Sequence, residues 1–312
     1  MKSILIFGRT PPPIGGVTIS VKNLINSLAS KNITTKLFSW KILLDFKLYD
    51  IAHIHYHKRW KILIAIILGK TFCKKVILTY HGLDFYPDRS LLDKWILFLL
   101  DGIIVLNNSV YNICSNFSKS SVKLLPPIFK EGIIDEVKNK KVYFEKEKGC
   151  KYLLIYAFDK VYIEGKEVYG CSFILNILKQ LPKNYILIFL DPKSGYQYDV
   201  ENINENKIIY INHYVDFMQL VSAVDLYIRP TNFDGNSVAT LEALSAGIPV
   251  LASDVIERNN GIHLYQNNNA DQCIEKIKYL IESKKLNNDE YELTSVEEYI
   301  NYCIKILGIK NA

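Results

Sequence analysis

Residues 225–255 read DLYIRPTNFDGNSVATLEALSAGIPVLASDV, and this stretch decides the fold. It begins with Leu226 to Arg229, a short apolar run closed by Pro230, which cannot donate to a strand ladder. Residues 237–246 then have helical composition, and Gly247 stands where a helix C-cap belongs. A second apolar run follows. The pattern therefore predicts strand, loop, helix and buried strand in succession.

The loop between the first strand and the helix carries the chemistry. It reads TNFDGNS at 231–237, so it delivers small polar residues to a helix N-terminus. Free N–H groups and the helix dipole make such an end a receptor for an anion such as a diphosphate. Asp234 stands just before the helix, and Glu242 lies inside its second turn among small and apolar residues. Both acids could be solvated surface, but this setting predicts that at least one faces a cleft.

These residues resemble the nucleotide-sugar site of retaining glycosyltransferases of family 4, which carries two acids separated by seven residues. Asp234 matches the first acid, which is usually Glu in that family, and Glu242 matches the second. The segment GIPVLASD at 247–254 matches the closing segment of the family. With Asp first and Arg258 beyond the segment, the variant resembles a branch found in bacterial surface-polysaccharide clusters.

Length and composition limit the class of protein. The chain has 312 residues, 49% of them hydrophobic, which suits two globular domains. Its six cysteines form no CxxC pair, which argues against a zinc site or a disulfide framework and for a reducing cytosol. The N-terminus predicts a first strand rather than a signal peptide, and the longest apolar run, 62–68, is too short to span a membrane. We therefore expect a soluble, cytoplasmic protein.

The charge is unevenly distributed. Residues 1–149 hold 23 Lys and Arg against 11 Asp and Glu, whereas residues 150–312 hold 15 against 21. Nucleic acid, an anionic membrane and a lipid diphosphate all suit a basic half on charge alone. No nucleic-acid module is recognisable, so we expect no nucleic-acid partner. Lys58-Arg-Trp-Lys61 precedes an apolar run, which suits either an ordinary buried helix or a peripheral contact with the inner face of an anionic membrane.

Strands and helices alternate along both halves, which predicts doubly wound parallel sheets with function at the carboxyl ends of the strands. The predicted strands are 3–7, 35–40, 51–57, 75–81, 102–107, 122–126, 152–157, 186–190, 208–211, 226–229 and 250–252. The predicted helices are 17–30, 58–69, 88–100, 108–117, 215–224, 237–246, 271–283 and 295–307, with a further helix starting near 169–170.

Three histidines alternate in HIHYH at 53–57, so His53, His55 and His57 share one face of a strand. They spread over roughly 13 Å, too far for one metal ion, and a structural role is favoured. His81 ends the strand before a glycine, where a side chain can project into a cleft. It matches the family's histidine that contacts the donor sugar.

A glycine-rich turn follows the first strand. It runs from Gly8 to Gly16 and lacks the GxGxxG pattern, so NAD binding is not expected. The resemblance places Gly15 and Gly16 near the donor phosphates, whereas the alternative is a mere tight turn.

The resemblance implies the GT-B fold: two Rossmann-like doubly wound domains facing a cleft. It implies an N-terminal acceptor-side domain at 1–148, a nucleotide-sugar domain at 149–294 and a helix at 295–312 that crosses back to the first domain. Gly235, Asn236 and Ser237 would hold the leaving diphosphate, Glu242 the ribose hydroxyls, and Asp234 the sugar hydroxyls, with His81 steadying the sugar. Donor-binding roles also fall on Arg229 and Thr231.

The chain departs from the family after the strand at 152–157. The family places an Arg and a Lys-Gly pair there as a phosphate clamp, and here the nearby cations are Lys160 and Lys166, either of which could be a surface lysine. No DxD pair is present, so we expect neither a metal nor a cofactor beyond the nucleotide-sugar substrate.

The expected function is a retaining hexosyl- or N-acetylhexosaminyltransferase. It would move a sugar from a nucleotide sugar, with UDP favoured, to a lipid-linked or polysaccharide acceptor in O-antigen or capsule synthesis. Two alternatives remain open. One is a sugar-nucleotide epimerase of the same fold, and the other is a non-catalytic subunit of a glycosyltransferase complex, suggested by the altered clamp.

Overall fold

The computed structural model describes residues 1–12, 15–44, 48–81, 90–118, 120–127, 143–203, 208–258, 260–283 and 296–309. The chain forms two compact units. Unit 1 is Met1–Lys130 together with Leu293–Ala312, and unit 2 is Glu131–Glu292. Among the described helices, none has the length and apolar character needed to cross a membrane.

Unit 1 is built on a parallel sheet with helices on both faces. Its described strands are β1 Ser3–Phe7, β2 Thr34–Leu37, β3 Tyr49–Ile54, β4 Cys73–Tyr80, β5 Gly102–Val105 and β6 Ser121–Leu124, in the order β2-β1-β3-β4-β5-β6. Its described helices are α1 Gly16–Ser30, α2 Arg59–Phe72, α3 Leu91–Leu99, α4 Asn108–Phe117 and α10 Val296–Leu307, with a 3₁₀ turn at Trp40–Leu44. This is the doubly wound arrangement expected from the sequence.

Strand β1 shows why the sheet is covered on both sides. Leu5 and Phe7 pack into the core that contains α2 and α3, whereas Ile4 and Ile6 pack into the core that contains α1 and α10. An unbroken apolar strand of this kind has no face left for water, as is typical of parallel sheets.

Helix α10 belongs to unit 1 although 162 residues of unit 2 precede it in the chain. The hydroxyl of Tyr302 donates to the backbone carbonyls of Ile103 and Ser121. A Cβ at Gly102 would lie 2.3 Å from Ile306 Cδ1, so a larger residue where the helix crosses β5 would have to displace side chains of α10.

Unit 2 repeats the architecture. Its described strands are β7 Lys151–Tyr156, β8 Tyr162–Ile163, β9 Lys166–Glu167, β10 Tyr185–Leu190, β11 Ile208–Ile211, β12 Leu226–Arg229, β13 Val250–Ser253 and β14 Ile262–Tyr265. The parallel sheet runs β11-β10-β7-β12-β13-β14, and β8 and β9 form a separate antiparallel hairpin. Its described helices are α5 Cys171–Ile177, α6 Gln197–Glu201, α7 Phe217–Val221, α8 Val238–Ser245 and α9 Ala270–Ser283, with a 3₁₀ turn at Leu178–Gln180.

The carboxyl ends of β7, β12 and β13 lie side by side at the centre of this sheet, and the loops that follow them form the candidate site. Gly170, which precedes α5, is pressed against the end of β12. Its φ is +63°, and a Cβ there would lie 1.9 Å from the carbonyl oxygen of Pro230. The turn before α5 therefore tolerates only glycine.

The fold class is confirmed, and several predicted bounds are wrong. Strand β3 ends at Ile54, so His55 and His57 follow the strand instead of belonging to it. Helix α7 covers only Phe217–Val221 of the predicted 215–224, and β14 and the β8–β9 hairpin were not predicted. Helix α3 begins at Leu91, and residues 82–89 at its predicted start lie outside the described part of the chain.

Candidate functional site

The centre of the site is an ion cluster around Asp234, which we call the arginine cluster and which comprises Arg229, Asp234 and Arg258. Arg229, the last residue of β12, donates from Nε to Asp234 Oδ2 at 3.0 Å and from Nη2 to Oδ1 at 3.3 Å. Arg258 follows β13 and donates from Nη1 to Oδ2 at 3.0 Å. All three side chains are almost fully buried. The cluster therefore holds two positive charges and one negative charge away from water.

Every acceptor position of Asp234 is in use. The hydroxyl of Thr231 donates to Oδ2 at 3.3 Å, and the backbone N–H of Gly235 donates to Oδ1 at 2.9 Å. Burial raises the pKa of this carboxyl, but Arg229 and Arg258 outweigh it and hold the pKa well below its usual range. Asp234 is thus an ionised carboxylate that binds the side chains of Arg229 and Arg258.

The second arginine is fixed by its own loop. Arg258 donates from Nε to the carbonyl of Ser253 at 3.3 Å and from Nη2 to Thr231 Oγ1 at 3.4 Å. Ser253 in turn donates its hydroxyl to the carbonyl of Thr231 at 2.6 Å. On the other side, the guanidinium of Arg229 lies 5.5 Å from the ring centroid of Tyr169. This network sets the positions of both guanidinium groups before any ligand arrives.

Glu242 presents the opposite situation. It lies on α8 and is 8% exposed, and its carboxyl makes no hydrogen bond with any residue that the structure describes. Burial, together with the nearby carboxylate of Asp216, raises its pKa to about 8. A buried carboxyl without protein partners can accept hydrogen bonds from a ligand, and a ligand that supplies them favours the ionised form.

Aromatic rings pack close by. The Tyr156 ring centroid lies 5.7 Å from that of Phe217, which lies 5.5 Å from that of Tyr227. The negative charge of Glu242 contributes to raising the pKa of Tyr156, after burial and the neighbouring tyrosines, so the two groups are close.

The loop at 231–237 starts α8 as predicted, but one of its amides is engaged. Ser237 caps the helix by accepting from the N–H of Ala239 at 3.2 Å. Asn236 adopts a positive φ of 71°. The N–H of Gly235, predicted to bind a diphosphate, donates to Asp234 in this structure. A diphosphate would have to replace that contact or use the amides that follow.

The two lysines predicted to replace the phosphate clamp are placed differently from each other. Lys160 binds both carboxylate oxygens of Asp199, at 2.9 and 2.8 Å, and lies 5.3 Å from the ring centroid of Tyr196. Lys166 is exposed and directly follows the turn of the β8–β9 hairpin, where Gly165 has a φ of +73°. Their donor-binding roles stay predictions, and Lys160 would have to exchange Asp199 for a phosphate.

Unit 1 contains a second polar group, the histidine cluster, comprising His53, His55 and His81. Nδ1 of His55 lies 2.9 Å from Nε2 of His81. His53 bonds Thr79 at 2.7 Å through Nε2 and the Tyr299 hydroxyl at 2.9 Å through Nδ1. Burial, with neighbouring histidines second, lowers the pKa of His53 to about 3 and that of His81 to about 4. These rings are neutral at physiological pH.

The remaining predicted residues of unit 1, Gly15 and Gly16, lie at the start of α1. Gly15 precedes the helix and exchanges two hydrogen bonds with Thr18, since its N–H donates to the hydroxyl and its carbonyl accepts from it. A Cβ added to Gly15 or Gly16 would meet no atom within 4 Å among the described residues. A ligand could therefore approach this backbone closely.

The structure thus brings Arg229, Thr231, Asp234 and Gly235 into one cluster in unit 2. His81, Gly15 and Gly16 belong to unit 1. Sequence reasoning did not assign Arg258 or Tyr169 to the site. Arg258 was visible as part of the motif, but its contact with Asp234 across 24 positions was not. Within the described residues, no three His, Cys, Asp or Glu side chains are placed to hold a metal, and metal independence stays a prediction.

Comparisons with known proteins concern the fold and part of the sequence. Residues 170–283 match the family model described as "Glycosyl transferases group 1". The fold resembles the lipopolysaccharide outer core galactosyltransferase WaaB at a TM-score of 0.65 and 14% identity, covering 97% of this chain and 99% of that one. It also resembles WaaG, a glycosyltransferase involved in lipopolysaccharide biosynthesis, at a TM-score of 0.61 and 13% identity, covering 99% and 100%.

A third similar structure contains ligands. Anabaena HepE in complex with UDP and glucose has a TM-score of 0.63 and 13% identity, covering 98% of this chain and 96% of that one. No curated protein sequence matches this chain. The chain therefore has the GT-B fold, and its second half carries the sequence pattern of group 1 glycosyltransferases.

Proposed function

We propose that this chain is a retaining glycosyltransferase that moves a hexosyl or N-acetylhexosaminyl group from a UDP-sugar to a lipid-linked or polysaccharide acceptor. The observation that carries the proposal is that Glu242, a buried carboxyl with no hydrogen-bond partner among the described residues, lies on the helix that follows the loop of the arginine cluster. The match of 170–283 to group 1 glycosyltransferases supports it, and so does the binding of UDP and glucose by HepE.

Glu242 binds the nucleoside in this proposal. A carboxylate that accepts two ribose hydroxyls makes charge-assisted hydrogen bonds, which are worth roughly 1.5–3 kcal/mol each. In the free protein the burial of Glu242 raises its pKa to about 8, so the carboxyl is mainly protonated at neutral pH. Binding then releases a proton, and donor affinity increases as the pH rises towards 8.

The leaving diphosphate meets positive potential. The arginine cluster carries one excess positive charge, and the N-terminus of α8 adds its dipole. Charge that develops on the diphosphate as the glycosidic bond breaks is stabilised by groups already fixed in place. The acceptor oxygen forms a bond to the anomeric carbon as the bond from that carbon to the diphosphate breaks. The proton of the acceptor hydroxyl passes to the departing UDP.

Asp234 and His81 have positioning roles of different kinds. The carboxylate of Asp234 has all its acceptors occupied, so it reaches a sugar hydroxyl only by giving up an arginine contact. His81 has Nε2 engaged by His55, and its Nδ1, which has no partner among the described residues, would take a sugar hydroxyl. Because the ring is neutral, it binds such a hydroxyl without adding charge.

The proposed setting is the cytoplasmic side of a bacterial inner membrane, in the synthesis of a surface glycan such as O-antigen or capsule. WaaB and WaaG act in lipopolysaccharide synthesis, and the basic first half of this chain suits an acceptor with a lipid diphosphate.

A panel of UDP-sugars tests the function. Titration calorimetry identifies the donor, and Glu242→Ala is expected to weaken its binding at least tenfold, more than Asp234→Ala does. Exposed Glu275 supplies the matched control, Glu275→Ala, which is expected to bind normally. Unchanged affinity in Glu242→Ala contradicts the assignment. Turnover is expected to survive EDTA, and loss of turnover that manganese restores contradicts the metal-free phosphate site.

Product analysis separates the two alternatives. An epimerase releases a free epimer from the donor without any acceptor, and a non-catalytic subunit binds the donor without turnover. A transferase yields a glycosylated acceptor with the anomeric configuration of the donor.

A further inference from the structure

Helix α2 of unit 1 is apolar on two opposite sides. Its inner side buries Ile62, Ala65 and Ile66 in the core of unit 1. On the outer side, Trp60, Ile64 and Ile67 follow the helical spacing i, i+4, i+7 and are 59%, 44% and 65% exposed. A surface helix normally turns a polar face to solvent, so this outer stripe requires an explanation.

Helix α3 repeats the pattern. It buries Ile96 and Leu97, whereas Leu91, Trp95 and Phe98, again at i, i+4, i+7, are 75%, 60% and 64% exposed. Phe117 at the end of α4 is also exposed, and it lines a groove of about 450 Å³ together with Leu91, Lys94, Trp95 and Phe98. We call Trp60, Ile64, Ile67, Leu91, Trp95, Phe98 and Phe117 the two-helix face.

A buried ion pair fixes the two helices side by side. Arg59 donates from Nε and Nη2 to the carboxylate of Asp93 at 2.6 and 2.9 Å, and the Asp93 side chain is fully buried. Arg59 is therefore a structural residue that joins α2 to α3. Of the basic residues in Lys58-Arg-Trp-Lys61, only the two lysines remain available for an anion.

Among the described residues of 48–81 and 90–118, the charges without an ion-pair partner are positive. Residues 48–81 and 90–118 contain three acids, Asp50, Asp93 and Asp101, and all three are paired with lysine or arginine. Lys58, Lys61 and Lys94 have no carboxylate partner among the described residues. Lys61 lies 5.3 Å from the Trp60 ring centroid, and Lys94 lies 5.3 Å from the Phe117 ring centroid. The cations thus stand beside the exposed rings.

We propose that the two-helix face docks this protein on an anionic bilayer, with the rings among the acyl chains and Lys58, Lys61 and Lys94 at the lipid phosphates. A bilayer is the occupant that matches both properties at once. Tryptophan and lysine favour the headgroup layer, and apolar side chains below them enter the hydrocarbon. The apolar groove beside Lys94 is of a size to take part of a lipid tail.

This inference supplies the membrane contact that the proposed function needs, but docking itself requires no catalysis. The two therefore fail separately. A chain that binds vesicles and no UDP-sugar overturns the proposed function alone, and a chain that turns over UDP-sugar but ignores vesicles overturns the docking alone.

Flotation with phosphatidylcholine–phosphatidylglycerol vesicles and with pure phosphatidylcholine vesicles provides the first test. The wild-type chain is expected to float with the anionic vesicles. The double variant Trp95→Ser, Phe98→Ser is expected to lose at least about tenfold in partitioning, because two exposed rings no longer enter the bilayer. Its matched control replaces two exposed tyrosines of unit 2, Tyr198→Ser and Tyr279→Ser, and is expected to float normally.

Charge provides the second test, which does not depend on the aromatic residues. Reversal of Lys61 and Lys94 to Glu is expected to lower partitioning more than about thirtyfold, since each cation beside an anionic leaflet contributes about a factor of five. The control variant reverses exposed Lys179 and Lys183 of unit 2 and has the same net charge. Equal losses in the two variants overturn the proposal, because net charge alone would then explain the binding.

Tryptophan emission reports on the face directly. With Trp40 replaced by Phe, the remaining tryptophans are Trp60 and Trp95, both on the two-helix face. Their emission is expected to shift to shorter wavelength and to be quenched by brominated lipid, and donor binding is expected to be unchanged. If the chain instead forms a dimer that dissociates in Trp95→Ser, Phe98→Ser and does not float, a second copy occupies the face and the proposal is overturned.

Discussion

The histidine cluster of unit 1 and the arginine cluster of unit 2 both lie near the carboxyl ends of parallel strands. Both bury ionisable side chains, but one cluster keeps its charges and the other loses them. The arginine cluster keeps its charges, because each guanidinium shares the carboxylate of Asp234. The histidine cluster contains no carboxylate, so burial removes the protons instead. One cluster supplies a fixed positive potential, and the other supplies neutral hydrogen-bonding groups.

This difference matters for a nucleotide-sugar substrate. In the proposed function, fixed positive charge would stabilise a diphosphate, and neutral rings would bind sugar hydroxyls without adding charge.

The largest expected effect comes from breaking the arginine cluster. Asp234→Ala leaves two buried guanidinium groups without a carboxylate, and removing one partner of a buried ion pair costs roughly 3–5 kcal/mol. The three tryptophans all lie in unit 1, so tryptophan fluorescence follows unit 1 and circular dichroism follows both units. The urea transition seen by circular dichroism is expected to shift, and the fluorescence transition is expected to stay. Exposed Glu275→Ala serves as the control, and a variant as stable as that control contradicts the interpretation.

The next largest effect comes from Glu242. It tests whether burial keeps a carboxyl of unit 2 neutral, as it keeps the histidines of unit 1 neutral. Because burial raises its pKa to about 8 from 4.5, its contribution is fully present below pH 4.5 and is lost as the pH rises to about 8. The penalty at neutral pH is on the order of 3 kcal/mol. Glu242→Gln is expected to remove this pH dependence in urea titrations between pH 5 and 8. An identical slope in the variant would show that Glu242 is ionised throughout.

The smallest effect per residue concerns His53. Burial lowers the pKa of His53 to about 3. The stability that the neutral ring contributes is therefore fully present above pH 6.5 and is lost as the pH falls from 6.5 to about 3. At pH 5 the loss is about 2 kcal/mol for one histidine. His53→Gln is expected to weaken the pH dependence of the unfolding free energy, measured by fluorescence, by the equivalent of one proton taken up on unfolding. Nitrogen NMR of the rings checks the premise, since a charged His53 at pH 5 excludes it.

The sequence predicted the architecture well because the strands are apolar on both faces and the helices alternate with them. Helix 108–117 and strand 208–211 have the predicted bounds, and the motif at 225–255 folds as strand, loop, helix and strand. Both acids of the motif are buried instead of forming solvated surface, and the expectation that at least one faces a cleft stays a prediction.

The partners of these residues were not predictable, because they depend on contacts between distant loops. Arg258 reaches Asp234 across 24 positions, and Lys160 reaches Asp199 across 39. The exposed apolar stripes on the outer sides of α2 and α3 were not predicted, for a different reason. Apolar residues at i, i+4, i+7 have the same spacing on either side of a helix, so the pattern does not tell which stripe faces the core.

Helix α10 gives the two units different histories during synthesis. It supplies Tyr299, Tyr302 and Cys303 to the core of unit 1, and it covers the side of the sheet that carries His53. Unit 2 is an insertion between β6 and this helix, so its 162 residues leave the ribosome and can close their own core first. Synthesis of unit 1 begins before that of unit 2 and ends after it, because unit 1 contains the segments on both sides of unit 2. Until α10 docks, His53 lacks the Tyr299 hydroxyl, which is one of its two hydrogen-bond partners among the described residues.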